Sequence, residues 1–89
     1  VDLKDLIKVG AQIVDVRSPA EYNSGHLKGS LNLPLDTLKD NFSRISKSKP
    51  VITCWASGMP SGSARSMLLS AGYPEVYNGG SWKSLKEKA

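Results

Sequence analysis

Cysteine and histidine are almost missing from this chain: its 89 residues include one of each, Cys54 and His26. A lone cysteine closes no internal disulfide, and one cysteine with one histidine falls short of the ligand set of a zinc site. No metal and no other cofactor is expected, and Cys54 reads as a reduced thiol with a chemical or a packing role. Long apolar runs are missing too. Nothing approaches the roughly 20 residues of a membrane span, so the chain is expected to be soluble and free of membrane. A clustered basic stripe interleaved with aromatics is also lacking. The net charge of +4 is spread along the sequence, apart from a modest cluster at Lys83, Lys86 and Lys88. That pattern argues against nucleic acid and leaves room for a small anionic substrate. No leader of basic, apolar and small residues opens the chain, which favours the cytoplasm. Because it begins at Val1, the periplasm after signal removal is the alternative.

What is present reads as one domain over residues 1–89, expected to be a monomer. Leu3, Leu6 and Ile7 share one face of a short helix, with Asp2 as its cap and Gly10 as its stop. Residues 11–16 form a β-branched strand ending near Asp15 and Arg17. Ser18-Pro19-Ala20-Glu21 is a capping box with proline at the first helical position. A second extended piece stops at Pro34, and a helix is expected from Leu35 or Asp36 to about Ile45. Val51-Ile52-Thr53 is a compact strand that stops at Cys54. Small residues then lead into a helix bearing Met67, Leu68 and Ala71. Glu75-Val76-Tyr77 is a last strand, Asn78-Gly79-Gly80 a turn, and residues 81–87 a terminal helix. Strands alternating with helices imply an α/β fold with a mostly parallel central sheet.

In such sheets, sites form beyond the carboxyl ends of the strands, where Cys54 is placed. A thiol there, preceding a helix, meets free amides and a helix dipole that favour the thiolate. Ser57 and Gly58 are small enough for the loop to curl into an anion-binding nest. Asp15 and Arg17, at the end of the neighbouring strand, are placed to brace that loop or to pair with each other.

Three separated stretches carry a resemblance. Asp15 to Tyr22, Gly25 to Pro34, and Tyr73 with Val76 to Trp82 resemble, in order, the signatures of the rhodanese-like sulfurtransferase family. The resemblance implies the rhodanese fold, a parallel sheet with helices on both faces, and a catalytic cysteine that lands on Cys54. It implies a substrate-binding loop over Trp55, Ala56, Ser57, Gly58, Met59 and Pro60, an aspartate (Asp15) that supports the loop, and a nearby arginine (Arg17). His26, after Gly25, takes a structural role in that scheme. The implied chemistry is attack on the outer sulfur of thiosulfate or a related donor, a Cys54 persulfide, and delivery of that sulfur to a thiol acceptor or cyanide.

The loop departs from the family pattern twice. Cys54 to Pro60 counts seven residues, one longer than the usual sulfurtransferase loop and the length that related phosphatases and arsenate reductases use. Pro60 also stands where either group usually has arginine, and proline offers neither charge nor an N–H. It suits the first turn of the following helix. Arg65, one turn on, is a candidate replacement for the lost cation. A persulfide carries less charge than a phosphoryl group, so sulfur transfer tolerates this change better than phosphatase chemistry does. The expected function is sulfane-sulfur transfer by Cys54. Alternatives are a weakened module that binds protein or senses sulfur or oxidants and, behind it, a phosphatase or arsenate reductase.

Overall fold

The computed structural model describes residues 2–56 and 62–88. The sheet is built from four short strands, β1 (Gln12–Asp15), β2 (Leu31–Asn32), β3 (Val51–Trp55) and β4 (Val76–Ser81), in the order β2-β1-β3-β4 with every pairing parallel. The helices are α1 (Leu3–Lys8), α2 (Pro19–Ser24), α3 (Ser63–Ser70) and α4 (Trp82–Lys88), with a 3₁₀ segment over Leu35–Arg44.

Alternation along β1 and β3 sorts the core into two halves. Val14, Val16 and Val51 meet Leu38 from the 3₁₀ segment, Ile45 just after it, and Ala64 and Leu68 from α3. Ile13, Ile52 and Cys54 meet Leu85 of α4 and Leu27, with Leu3, Leu6 and Ile7 of α1 packed alongside. Helices therefore cover both faces of the sheet, as an α/β chain with buried parallel strands requires.

Local chemistry accounts for most boundaries. The Asp2 carboxylate accepts the Lys4 N–H at 2.9 Å and starts α1. Ser18 and Glu21 form the expected capping box, with Pro19 at the first helical position of α2. The segment after Pro34 winds as 3₁₀ instead of α, still burying Leu38, and its end is tied by the Tyr73 hydroxyl, 2.7 Å from the carbonyls of both Phe42 and Ile45.

Two strands run further than their sequences imply. β3 continues through Cys54 and Trp55, and β4 absorbs Asn78-Gly79-Gly80, which the sequence marks as a turn. The glycines are the reason. A Cβ on Gly79 would lie 2.8 Å from both the Ile52 Cγ2 and the Thr53 carbonyl oxygen, so only a bare backbone passes there. Gly80 has a φ of +78°, and the β3–β4 register shifts between Thr53 and Trp55, an irregularity that carries β4 on to Ser81.

After β1 the chain moves outward to β2, then returns past β1 to form β3 and finally β4. The connections leaving β1 and β3 thus diverge to opposite sides of the sheet. That topological switch point opens a crevice beyond the carboxyl ends of the two strands.

Candidate active site

Asp15 and Cys54 end the β1–β3 ladder as register partners, and both are fully buried. The ladder continues as the Val16 N–H donates to the Cys54 carbonyl at 3.1 Å. An ionised carboxylate in such a place needs a counter-charge, and Arg17 supplies it from two residues further along. Its backbone N–H donates to Asp15 Oδ1 at 3.0 Å, its Nε to the same oxygen at 3.0 Å, and its Nη2 to Oδ2 at 2.8 Å. Arg17 is itself only 4% exposed. Its remaining reach goes to main-chain carbonyls, Nη1 to Glu21 at 3.2 Å and Nη2 to Gly25 at 2.7 Å. The Trp82 ring lies against the guanidinium, 4.7 Å from Cζ to the centroid. The Asp15 hydrogen bond chiefly raises the Arg17 pKa, against the opposing effect of burial. Of the two roles expected of these residues, the structure contains the mutual ion pair; the loop they would brace lies beyond Ala56, outside the described residues.

The electrostatics of Cys54 differ from the sequence expectation. Burial pushes the thiol up to about 12, the Asp15 charge adds to the rise, and Arg17 pulls the other way. The expected lowering assumed a sulfur just past a strand end. Instead Cys54 is an interior residue of β3 whose side chain packs with Leu27, Ile52 and Leu85.

Arg17 faces a cleft of about 610 Å³. Arg17 and Ala56 line it from the strand ends, and Glu21 and Ser24 from α2. Ser81, Trp82 and Lys83, at the junction of β4 and α4, form the remaining wall. The sequence marked Glu21 as a cap, which it is, and Lys83 as part of a charge cluster. Neither reading identified a cleft residue, because the wall exists only once β4 is threaded past Gly79.

Of the loop residues, Trp55 is half-buried and packs on the 3₁₀ side of the sheet, and Ala56 lines the cleft. Ser57, Gly58, Met59 and Pro60 lie outside the described residues. Arg65, the candidate replacement for the loop cation, is tied to the sheet. Its Nε donates to the Val76 carbonyl at 2.8 Å, and register places Val76 beside Val51, at the opposite end of β3 from Trp55. His26 is exposed, stacked on Tyr22 at 3.8 Å, with Nδ1 2.8 Å from the Tyr22 carbonyl, which suits a structural role. Among the described residues no cluster of His, Cys, Asp or Glu is arranged to hold a metal ion, and no helix is long and apolar enough to cross a membrane.

Comparison with known proteins agrees with this architecture. YqhL of Bacillus subtilis is 40% identical over 68 residues, covering 76% of this chain and 54% of YqhL. The thiosulfate sulfurtransferase GlpE of Stutzerimonas stutzeri is 36% identical over 69 residues, covering 78% of this chain and 63% of that protein. The chain thus spans about half to two thirds of the length of these curated relatives. A solved rhodanese with anions from Escherichia coli superimposes with a TM-score of 0.75 at 31% identity, over 84% of this chain and 91% of that one. The model of the rhodanese-like domain matches residues 1–88. On the match of the domain model over residues 1–88 and the likeness to these relatives in sequence and fold, the chain belongs to the rhodanese-like domain family.

Proposed function

We propose that this domain is a sulfurtransferase or persulfide carrier in which Cys54 receives a sulfane sulfur and hands it to a thiophilic acceptor. The observation that carries the reading is the place of Cys54: the chain's one cysteine is the register partner of Asp15 at the switch point, next to a buried carboxylate–guanidinium pair whose Arg17 lines an open cleft. Relatives named thiosulfate sulfurtransferase support thiosulfate as a donor.

In the loading step the Cys54 thiolate attacks the outer sulfur of thiosulfate. The S–S bond of the donor breaks, its electron pair leaves with sulfite, and Cys54 is left as a persulfide. In the unloading step an acceptor thiolate attacks the outer sulfur, and the Cys54 Sγ–S bond breaks. Cys54 departs as thiolate and the acceptor becomes the persulfide. Arg17 keeps a positive charge beside both anionic stages of Cys54, opposing the effect of Asp15.

Intact-mass measurement after incubation with thiosulfate tests the reading. A sulfur-sized gain that disappears in Cys54→Ala supports it, and a chain that gains no sulfur refutes it. The burial of Cys54 and its raised pKa favour a second reading, a module with weakened turnover that binds a protein or senses sulfur or oxidants. Pro60→Arg separates the two. A large rise in kcat/KM for thiosulfate assigns weak turnover in the native chain to its missing cation.

A further inference from the structure

Arg17 carries a planar cation whose edge is taken up by hydrogen bonds. Each of its three side-chain nitrogens donates, Nε to Asp15 Oδ1, Nη1 to the Glu21 carbonyl, and Nη2 to both Asp15 Oδ2 and the Gly25 carbonyl. Bonds in the plane leave the faces of the guanidinium open, and Trp82 lies over one of them, its ring centroid 4.7 Å from Cζ. The same ring meets the acceptor side of the network, because a Cβ on Gly25 would lie 3.2 Å from Trp82 Cη2. Lys83 approaches the ring less closely, with Nζ 5.9 Å from the centroid, so Arg17 is its main cationic partner. Trp82 also packs against the core cluster that contains Cys54. It is held there as the first residue of α4, where Ser81 Oγ accepts the Ser84 N–H at 3.2 Å and Leu85 is fully buried.

We propose that Trp82 is a positioning residue for Cys54: by covering the guanidinium face it holds Arg17 on Asp15 and keeps the cation dry, and through that pair it sets the reactivity of the thiol. The path consists of direct contacts. Trp82 meets Arg17, Arg17 binds Asp15 through its backbone N–H, Nε and Nη2, and Asp15 is the register partner of Cys54 on the adjacent strand, where neighbouring backbones stand about 4.8 Å apart. A charge shielded from water acts on its neighbours more strongly than a hydrated one. Removing the ring admits water to that face and frees the guanidinium to leave the carboxylate. The cation that offsets Asp15 at Cys54 then weakens while Asp15 stays buried, and the thiolate becomes harder to form. For its place in catalysis the inference rests on the sulfur-transfer reading, while the control it assigns over the thiol is testable without a sulfur donor.

Two measurements on the full chain test it. The first follows exchange of the Arg17 Nε–H with solvent by NMR, normalised to the β1 amides so that global opening cancels. Trp82→Leu, which keeps apolar cover without an aromatic face, is expected to speed that exchange about fivefold to thirtyfold, and Trp82→Phe to restore most of the protection. The second is a mutant cycle on the rate of Cys54 alkylation by iodoacetamide. Trp82→Leu is made in the native chain and in the double variant Asp15→Asn with Arg17→Met, which removes both charges together. Access to the sulfur changes alike in the two backgrounds, so the ratio of rates, Trp82→Leu over its parent, is expected to be about threefold to tenfold lower where the ion pair is present. Equal ratios in the two backgrounds overturn the proposal, as does Arg17 exchange that stays at the native rate in Trp82→Leu or that Trp82→Phe fails to restore. If the charge-free double variant does not fold, the exchange result alone decides. A protein that shows both effects and still takes no sulfur from thiosulfate overturns only the sulfur-transfer reading.

Discussion

Asp15 and Cys54 stand opposite each other on the central strands, their side chains on the same face of the sheet and both sealed from solvent. An acid anion beside the sulfur makes the resting thiol hard to ionise, and only Arg17, bound to that acid through three donor groups, offsets it.

Asp15→Asn is therefore expected to act twice. It leaves the Arg17 charge buried without its partner, at a cost of about 3–5 kcal/mol in urea unfolding. It also removes a charge that raises the Cys54 pKa, so iodoacetamide reacts faster with this variant under conditions where it stays folded. A variant that keeps native stability, or alkylates more slowly, contradicts the arrangement.

Stability should decline in alkali. The folded thiol holds its proton to about 12, against an ordinary value of 9.0, so above pH 9 the unfolded chain releases a proton that the folded one retains. The stabilisation is complete below that value and is lost as pH rises toward the folded pKa, by up to about 4 kcal/mol. The buried Tyr73, also raised by burial, adds loss in the same direction. Chemical denaturation from pH 8 to pH 11 checks this, and Cys54→Ala is expected to flatten the profile.

Gly79→Ala places a methyl group against the Ile52 side chain and the Thr53 carbonyl and is expected to destabilise the domain by about 1–3 kcal/mol. The loss should fall on the β3–β4 pairing. Hydrogen exchange of the β4 amides is expected to accelerate more than that of the β1 amides.

Ser18→Ala removes the hydroxyl that accepts the Glu21 N–H at the start of α2 and should cost about 1 kcal/mol by thermal melting, whereas Glu21→Gln costs little because the glutamine oxygen still accepts from the Ser18 N–H. Equal losses in the two variants would mean that the cap is not what holds this turn.

The sequence exposes the scaffold because its signals are local. The Ser18-Pro19-Ala20-Glu21 cap, the β-branched runs that become β1 and β3, and the Asp2 cap each depend on neighbours within a few positions. The helices on both faces and the parallel sheet follow from their alternation. What stays hidden is set by contacts distant in sequence. Nothing near Gly79 and Gly80 indicates that they lie inside a strand, because the constraint comes from Ile52, Thr53 and Leu85. The raised pKa of Cys54 likewise depends on enclosure by Leu27, Ile52 and Leu85, which the spacing around the cysteine does not express. Helical spacing also does not express the tie from the Arg65 Nε to the Val76 carbonyl.

Arg17 touches more than its acid partner. By holding the carbonyls of Glu21 and Gly25 while it lies against Trp82, it fastens the end of α2 and one wall of the cleft to the same point that sets the charge beside Cys54. The reactivity of the sulfur and the shape of the space above it are consequently inherited as one trait. A lineage that drifts at position 15 or 17 alters both together.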